Sequence, residues 1–211
     1  VFPGNNGSVW VKTGREYQAA TPRQTMLFKI DADGTVSVDS RTAIGEQGYS
    51  DDAFLDHHGR VTVAGNLDGD LFLLRYNADG SLDSSFGTNG IARHDYGLTY
   101  HSAVGITENH GTILVGYLSG EHSNEVEIRR FDSNGQPDVA FNGSGSATIT
   151  FSDSFQQYFG LDLVQVGEDL IVGAIGRDWN YRAVKVADSP LVVQEDSGEH
   201  HIPLTGITEG D

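Results

Sequence analysis

The sequence predicts an all-β fold built from repeated four-stranded antiparallel units, and three observations predict it. Apolar residues recur two apart in short runs, as in Val61 and Val63, Leu71 and Leu73, or Ile113 and Val115, which is the period of a strand. Glycine is frequent, with 27 in 211 residues against 5 prolines, and no segment carries the 3.6-residue periodicity of a long helix. Most specifically, Gly7, Gly59 and Gly111 follow one another at intervals of 52 residues (7 to 59, 59 to 111), each just ahead of an apolar run.

The elements of the repeat follow in order. The run after the glycine is SVWV at 8–11, RVTV at 60–63 and TILV at 112–115, with a fourth copy, DLIV, at 169–172. A second strand is predicted in MLFKIDADG (26–34), LFLLRYNADG (71–80) and VEIRRFDSNG (126–135); its fourth copy, YRAVKV (181–186), lacks the acidic, glycine-ended tail. A third follows the turn in GTVSVDS (34–40), GIARHDY (90–96) and SATITFS (146–152). The last is DDAFLDHHG (51–59), HSAVGITENHG (101–111) and FGLDLVQVGED (159–169), each ending in a polar turn. Four strands in about fifty residues is the sequence form of a β-propeller blade, and the chain holds about three and a half. An all-β sandwich with coincidental spacing is the competing arrangement.

Composition excludes several functions. A net charge of −17 opposes nucleic acid and anionic membranes, both of which need clustered Lys and Arg. No cysteine is present, so disulfides and thiolate metal sites are out. No run approaches the ~18 apolar residues of a membrane span, and the first residues carry no signal-peptide pattern. A start on Val1 and not Met leads us to expect an excised piece or a processed product.

RYNADGSLDSSFGTNG (75–90) followed by HSAVGITENHGTILVGY (101–117) resembles the delta-60 repeat family of bacterial β-propeller-like proteins. RRFDSNGQPDVAFNGSG (129–145) matches more loosely, and FKIDADG (28–34) is a degenerate copy, so the resemblance covers about residues 8–186. It implies a propeller-like domain over 1–187 and an extracellular setting, and it carries no catalytic residues. The tail SPLVVQEDSGEHHIPLTGITEGD (189–211) is similar to the opening of the immunoglobulin/cadherin-like modules of large bacterial adhesins. That likeness makes 188–211 a linker and the start of a second module, with Glu195 and Asp196 where such junctions bind calcium. Three arrangements remain open. Upstream blades complete the ring, a second copy completes it, or LVVQE (191–195) and HIPLTGI (201–207) are closing strands of a compact four-bladed ring.

The chemistry-bearing residues fall into three groups. Asp31, Asp33 and Asp39, with Asn77, Asp79 and Asp132 at repeat-equivalent turns, are the calcium candidates. Calcium wants six to eight oxygens, whereas Asx side chains ahead of a positive-φ glycine also make a plain β-turn. Phe86 and Phe141 stand at matching offsets and are expected to wedge between neighbouring blades. Trp10, Tyr17, Arg177, Asp178, Trp179 and Tyr181 could stack on a sugar or peptide, or cap an exposed blade edge. The eight histidines show no zinc spacing, and there is neither a G-x-S-x-G elbow nor a sialidase-type Asp box.

The function expected is therefore a non-catalytic binding or scaffold module of a large bacterial surface or secreted protein. Its expected partners are a glycan or peptide, neighbouring domains and, to complete the propeller, another copy of itself; calcium is the expected cofactor if any. A secreted propeller enzyme of glycan-hydrolase or lactonase type is the alternative, and a structural spacer is the third.

Overall fold

The computed structural model describes residues 1–15, 23–45, 48–98, 104–109, 111–118, 125–150, 158–167, 169–176, 181–187 and 193–194. They form four separate four-stranded sheets, every neighbouring pair antiparallel. The first contains β1 (Phe2–Pro3), β2 (Val9–Arg15), β3 (Arg23–Ile30) and β4 (Val36–Gly45). The second contains β5 (Gly48–Leu55), β6 (Val61–Leu67), β7 (Asp70–Tyr76) and β8 (Ile91–His94). The third contains β9 (Val104–Asn109), β10 (Thr112–Leu118), β11 (Glu125–Phe131) and β12 (Ser146–Thr150). The fourth contains β13 (Tyr158–Val166), β14 (Asp169–Gly176), β15 (Tyr181–Ala187) and the two-residue β16 (Val193–Gln194).

Each sheet is a simple meander, so the sheet begins with the strand that precedes the repeat glycine. This moves the frame of the unit: DDAFLD (51–56) opens the second sheet and does not close the first. The reason is local. Gly7, Gly59 and Gly111 adopt φ of +75°, +79° and +84°, which a glycine reaches without strain. Gly59 and Gly111 thereby close tight hairpins that tie β5 to β6 and β9 to β10. The fourth sheet also takes the two-residue strand Val193–Gln194, paired with Val186 and Lys185.

The sheets stack face to face through three clusters of buried side chains. Trp10, Leu27, Val38 and Ile44 meet Val61, Val63, Phe72, Leu74 and Tyr76 between the first and second sheets. Ala64, Leu71, Leu73 and Phe86 meet Ile106, Ile113, Val115, Tyr117 and Phe131 between the second and third. Leu114, Val126, Ile128 and Ile149 meet Leu161, Leu163, Leu170 and Val172 between the third and fourth. Both faces of the middle sheets are thus covered, which explains unbroken buried runs such as Leu71–Tyr76 where a one-faced strand would alternate. At roughly 1.5–3 kcal/mol for each fully buried aliphatic or aromatic side chain, these faces dominate the stability of the stack. The opening strands β5, β9 and β13 lie beside one another in that order and form the inner edge of the arc.

Candidate functional site

The acidic turns are built the same way each time. In each, the glycine N–H reaches back to the first residue's carbonyl: Gly34 to Asp31, Gly80 to Asn77, Gly135 to Asp132. The acidic oxygens then fill with local donors. Asp33 accepts Thr35 N–H at 2.9 Å and its hydroxyl at 2.7 Å, and Asp79 accepts Ser81 N–H at 2.9 Å and its hydroxyl at 2.6 Å. Asp132 instead uses the first position of the turn, accepting Asn134 N–H and Gln136 N–H. These bonds hold the Asp33 and Asp79 carboxyls below the usual carboxylate range.

In the turns at 77–80 and 132–135 the carbonyls are also engaged by the preceding blade. Ser40 Oγ donates to Gly80 O, Arg75 Nη1 to Ser133 O, Gly87 N–H to Asn134 O, and His94 Nε2 to Gly135 O. Oxygens that a cation would need are therefore used to lock one blade onto the next. Asp39 lies on β4 and pairs with Arg41 at 3.0 Å, while Asp31 lies 3.5 Å from Lys29. Asp31, Asp33 and Asp39 do not converge: among the described residues no three His, Asp or Glu stand close enough to hold a metal ion. Glu195 and Asp196 lie outside the described residues.

Phe86 is fully buried and Phe141 is 3% exposed, and each fills a gap between successive sheets as expected. Each also sits under an arginine, Arg75 at 4.4 Å and Arg130 at 4.8 Å from the ring centre. The arginines bind Asp83 at 2.8 Å and Asp138 at 2.9 Å. Burial alone would raise the Asp83 carboxyl, but donors on Ser85 and Arg75 outweigh it and hold the group low. The same Arg, Asp and Phe recur at identical offsets (75, 83, 86 and 130, 138, 141), a spacing present in the sequence that marks a packing unit between blades.

Of the aromatic candidates, Trp10 is only 2% exposed and belongs to the core between the first two sheets. It is not a ligand platform: alternation along β2 turns it toward the second sheet, with Lys29 6.0 Å above its ring. Tyr181 opens β15, opposite Ile175. Tyr17, Arg177, Asp178 and Trp179 lie outside the described residues.

What the fold does gather is a charged group on the inner strands. Asp52, Gly105 and Asp162 occupy equivalent places, opposite Ala64, Gly116 and Gly173. A Cβ on Gly105 would come 2.6 Å from Leu163 Cδ1, so the glycine lets β13 approach β9 closely. β5 carries an irregularity between Ser50 and Asp52, which places Asp51 outside the regular pairing. Lys12, from the first sheet, donates to the main-chain oxygens of Ser50 at 2.6 Å and Asp51 at 2.9 Å. Each Asp52 oxygen takes a main-chain N–H, from Ala53 at 2.8 Å and from Ile106 at 3.0 Å, which ties β5 to β9.

The electrostatics follow from that crowding. The surrounding protein pushes the Asp51 carboxyl up to about 7, opposed by Lys12 and assisted by Asp52. Asp51 is nonetheless solvent-exposed at its surface, so water screens part of this effect. Asp52 is raised by desolvation and by Asp162, against its two N–H donors, and the Lys12 ammonium is pushed down by desolvation. This group went unseen because Lys12, Asp51 and Asp162 belong to three different repeats. The doubled acid at 51–52, where the third repeat reads Val104–Gly105, was the one available hint.

Comparisons with known proteins agree with this architecture. The fold is propeller-like. Residues 59–86 match a family model described as a β-propeller domain of unknown function (DUF5122), a propeller-type repeat family. No curated protein matches the sequence. Among solved structures, a protein of unknown function from Bacteroides caccae is similar at 16% identity with a TM-score of 0.54, over 81% of this chain and 54% of that one. The GH43 protein BlXynB from Bacillus licheniformis is similar at 12% identity and 0.55, over 92% and 42%. The GH32 β-fructofuranosidase BmSUC1 from Bombyx mori is similar at 11% and 0.52, over 90% and 46%. The chain thus spans about half the length of these proteins or less. No helix among the described residues is long and apolar enough to cross a membrane.

Proposed function

We propose that this chain is a non-catalytic binding module of a large bacterial surface or secreted, adhesin-like protein, taking a glycan or peptide at the inner-strand group around Asp51. The observation that carries this is the division of labour between the two neighbouring acids. Asp52 already serves both its oxygens to main-chain N–H groups, whereas Asp51 is exposed and raised toward neutrality. An exposed carboxyl raised above the usual carboxylate range accepts hydrogen bonds and, once protonated, donates one, which suits sugar hydroxyls and peptide amides. With Asp52 committed to two main-chain N–H groups, Asp51 and Lys12 are the groups left for recognition, whereas glycoside hydrolysis would need a second carboxyl at a defined separation. Exposure on a bacterial surface or in the medium fits the acidic, cysteine-free composition. Glycan and peptide arrays test the reading: binding that Asp51→Asn abolishes and Asp33→Asn leaves intact supports it, and binding indifferent to Asp51→Asn sinks it.

The second reading is a glycan hydrolase in which Asp51 acts as the acid and Asp162 as its partner. It is favoured by the raised Asp51 carboxyl and by the likeness to GH43 and GH32 glycosidases. Release of reducing sugar from arabinoxylan or fructan, lost in both Asp51→Asn and Asp162→Asn, would establish it in place of the first. A spacer role would leave no binding and no turnover.

A further inference from the structure

The seam between the first and second sheets is polar at places where the two later seams are apolar. Lys12, Ala64 and Gly116 stand 52 residues apart on β2, β6 and β10. Thr25, Leu71 and Val126 are equivalent too, since they pair with Gly14, Asn66 and Leu118, themselves 52 apart. Ser50 corresponds to Val104 and Leu161, from their pairing with Gly65, Tyr117 and Ala174. Leu71 and Val126 are fully buried and Val104 is 2% exposed, each inside an apolar cluster between sheets. The first seam alone puts Lys, Thr and Ser at these three places.

That polarity is not consumed internally. Among the described residues four buried side-chain polar atoms lack a hydrogen-bond partner, and three of them are Arg23 Nε, Thr25 Oγ1 and Ser50 Oγ. Thr25 is fully buried, where an unpaired hydroxyl is destabilising and calls for a partner. It shares a face of β3 with Leu27, which packs on the second sheet. Ser50 faces back toward it, standing opposite Gly65, two residues along β6 from the core residue Val63.

Arg23 lies on the same face as Thr25, with its guanidinium 3.7 Å over the Tyr49 ring. Arg41, Arg60, Arg75, Arg93, Arg129 and Arg130 each hold a carboxylate, and among the described residues none pairs with Arg23. Stacking fixes the plane of a guanidinium and leaves its N–H edge for a carboxylate. Lys12 reaches the same stretch of β5, donating to the main-chain oxygens of Ser50 and Asp51. Asp52 does not compete, because it stands opposite Ala64 and points into the next seam. The mouth lies at the surface: Arg23, Tyr49 and Ser50 are half-buried and Asp51 is exposed.

We propose that the ligand of this module is an acidic glycan whose uronate carboxylate enters the first seam and pairs with Arg23, while the Thr25 and Ser50 hydroxyls bond the carboxylate and the ring hydroxyls beside it. The inference rests on the reading of the Asp51 group as a binding site. A uronate suits the seam better than an acidic peptide side chain does. The two hydroxyls both donate and accept, and a uronate sets ring hydroxyls next to its carboxylate. An aspartate or glutamate side chain offers acceptors alone. The net charge of −17 repels acidic chains at long range, and salt at about 0.15 M screens that repulsion beyond about 8 Å. Lys12 and Arg23 then decide the outcome at contact.

Titration calorimetry with trigalacturonate, neutral galactotriose and triglutamate, in salt at about 0.15 M, tests this. Trigalacturonate is expected to bind at least roughly tenfold tighter than either other probe, and Arg23→Gln to remove that margin. Thr25→Val, which gives this place the residue found at Val126, should weaken trigalacturonate and raise the melting temperature by removing an unpaired hydroxyl. A lower melting temperature in Thr25→Val would mean that water already satisfies the hydroxyl, and overturns the pocket. Galactotriose or triglutamate binding as tightly as trigalacturonate overturns the acidic glycan. Trigalacturonate binding equally to wild type and Arg23→Gln overturns the seam; if Asp51→Asn still abolishes it, the site at Asp51 stands without the pocket. Silence from all three probes overturns this inference, and silence on the glycan and peptide arrays as well removes both readings. Arg23→Lys, which keeps the charge and loses the fork, replaces Arg23→Gln should that variant fail to fold.

Discussion

The first and second sheets share one strand register and differ in what stands behind them. Val61 is fully buried and Val9 is half-exposed, although both follow a left-handed glycine and both face an apolar partner across the hairpin. A strand's pattern decides which residues share a face. Whether that face is dry depends on the next blade. The difference also separates the acidic turns: the turn at 132–135 is clamped by three donors from the second sheet, whereas a Cβ at Gly34 in the turn at 31–34 would meet no neighbour.

The largest expected effect comes from the wedge between middle sheets. Phe86→Ala should cost about 3–5 kcal/mol in urea unfolding, as for buried aromatics generally, whereas Phe28→Ala on the open face should cost well under half of that. Equal losses would mean that the open face is covered. Next come the two arginine–aspartate pairs. Arg75 and Asp83 have side chains 5% and 11% exposed, and Arg130 and Asp138 28% and 29%. Asp83→Ala leaves a buried guanidinium unpaired and should cost about 3–5 kcal/mol. Asp138→Ala should cost much less, because water still reaches its partner.

The glycines give a finer comparison. Gly34→Ala and Gly135→Ala both force alanine into positive φ, at roughly 1–2 kcal/mol. Only Gly135→Ala also drives a Cβ into Phe86, so thermal unfolding should rank it clearly the worse. If the two variants melt alike, the turn at 132–135 is not docked as described.

A smaller effect is expected with pH. Burial pushes the His94 imidazole down, against its bond to Gly135 O and with the nearby Arg129 charge assisting. The folded state then binds fewer protons than the unfolded one, so stability is whole above the ordinary histidine value near 6.5 and declines as pH falls below it. His94→Gln should flatten that part of the stability profile. The smallest effect is that of a chelator. Because the acidic turns are filled by their own donors, removing calcium should leave the melting temperature of the described sheets unchanged.

How much of this could be read beforehand depends on range. The strands, the hairpin glycines and the acidic turns were legible because each is set within a few residues, by alternation, by a positive φ, or by an Asx side chain bonding the next N–H. The Arg75–Asp83–Phe86 unit was also legible, as a recurring spacing, once burial gave it meaning. Trp10 was misplaced because the residue sits in a strand whose two faces look alike locally. The sheet beyond it decides which face is core.

The sequence alone determined the repeat, its strand count and the turn chemistry, since those rest on local periodicity and short-range hydrogen bonds. Tertiary structure alone decided where one blade ends and the next begins, because only the stacking shows which hairpin opens a sheet. It alone brought Lys12, Asp51, Asp52 and Asp162 to the inner strands, since charges from separate repeats act on one another only after the blades are stacked.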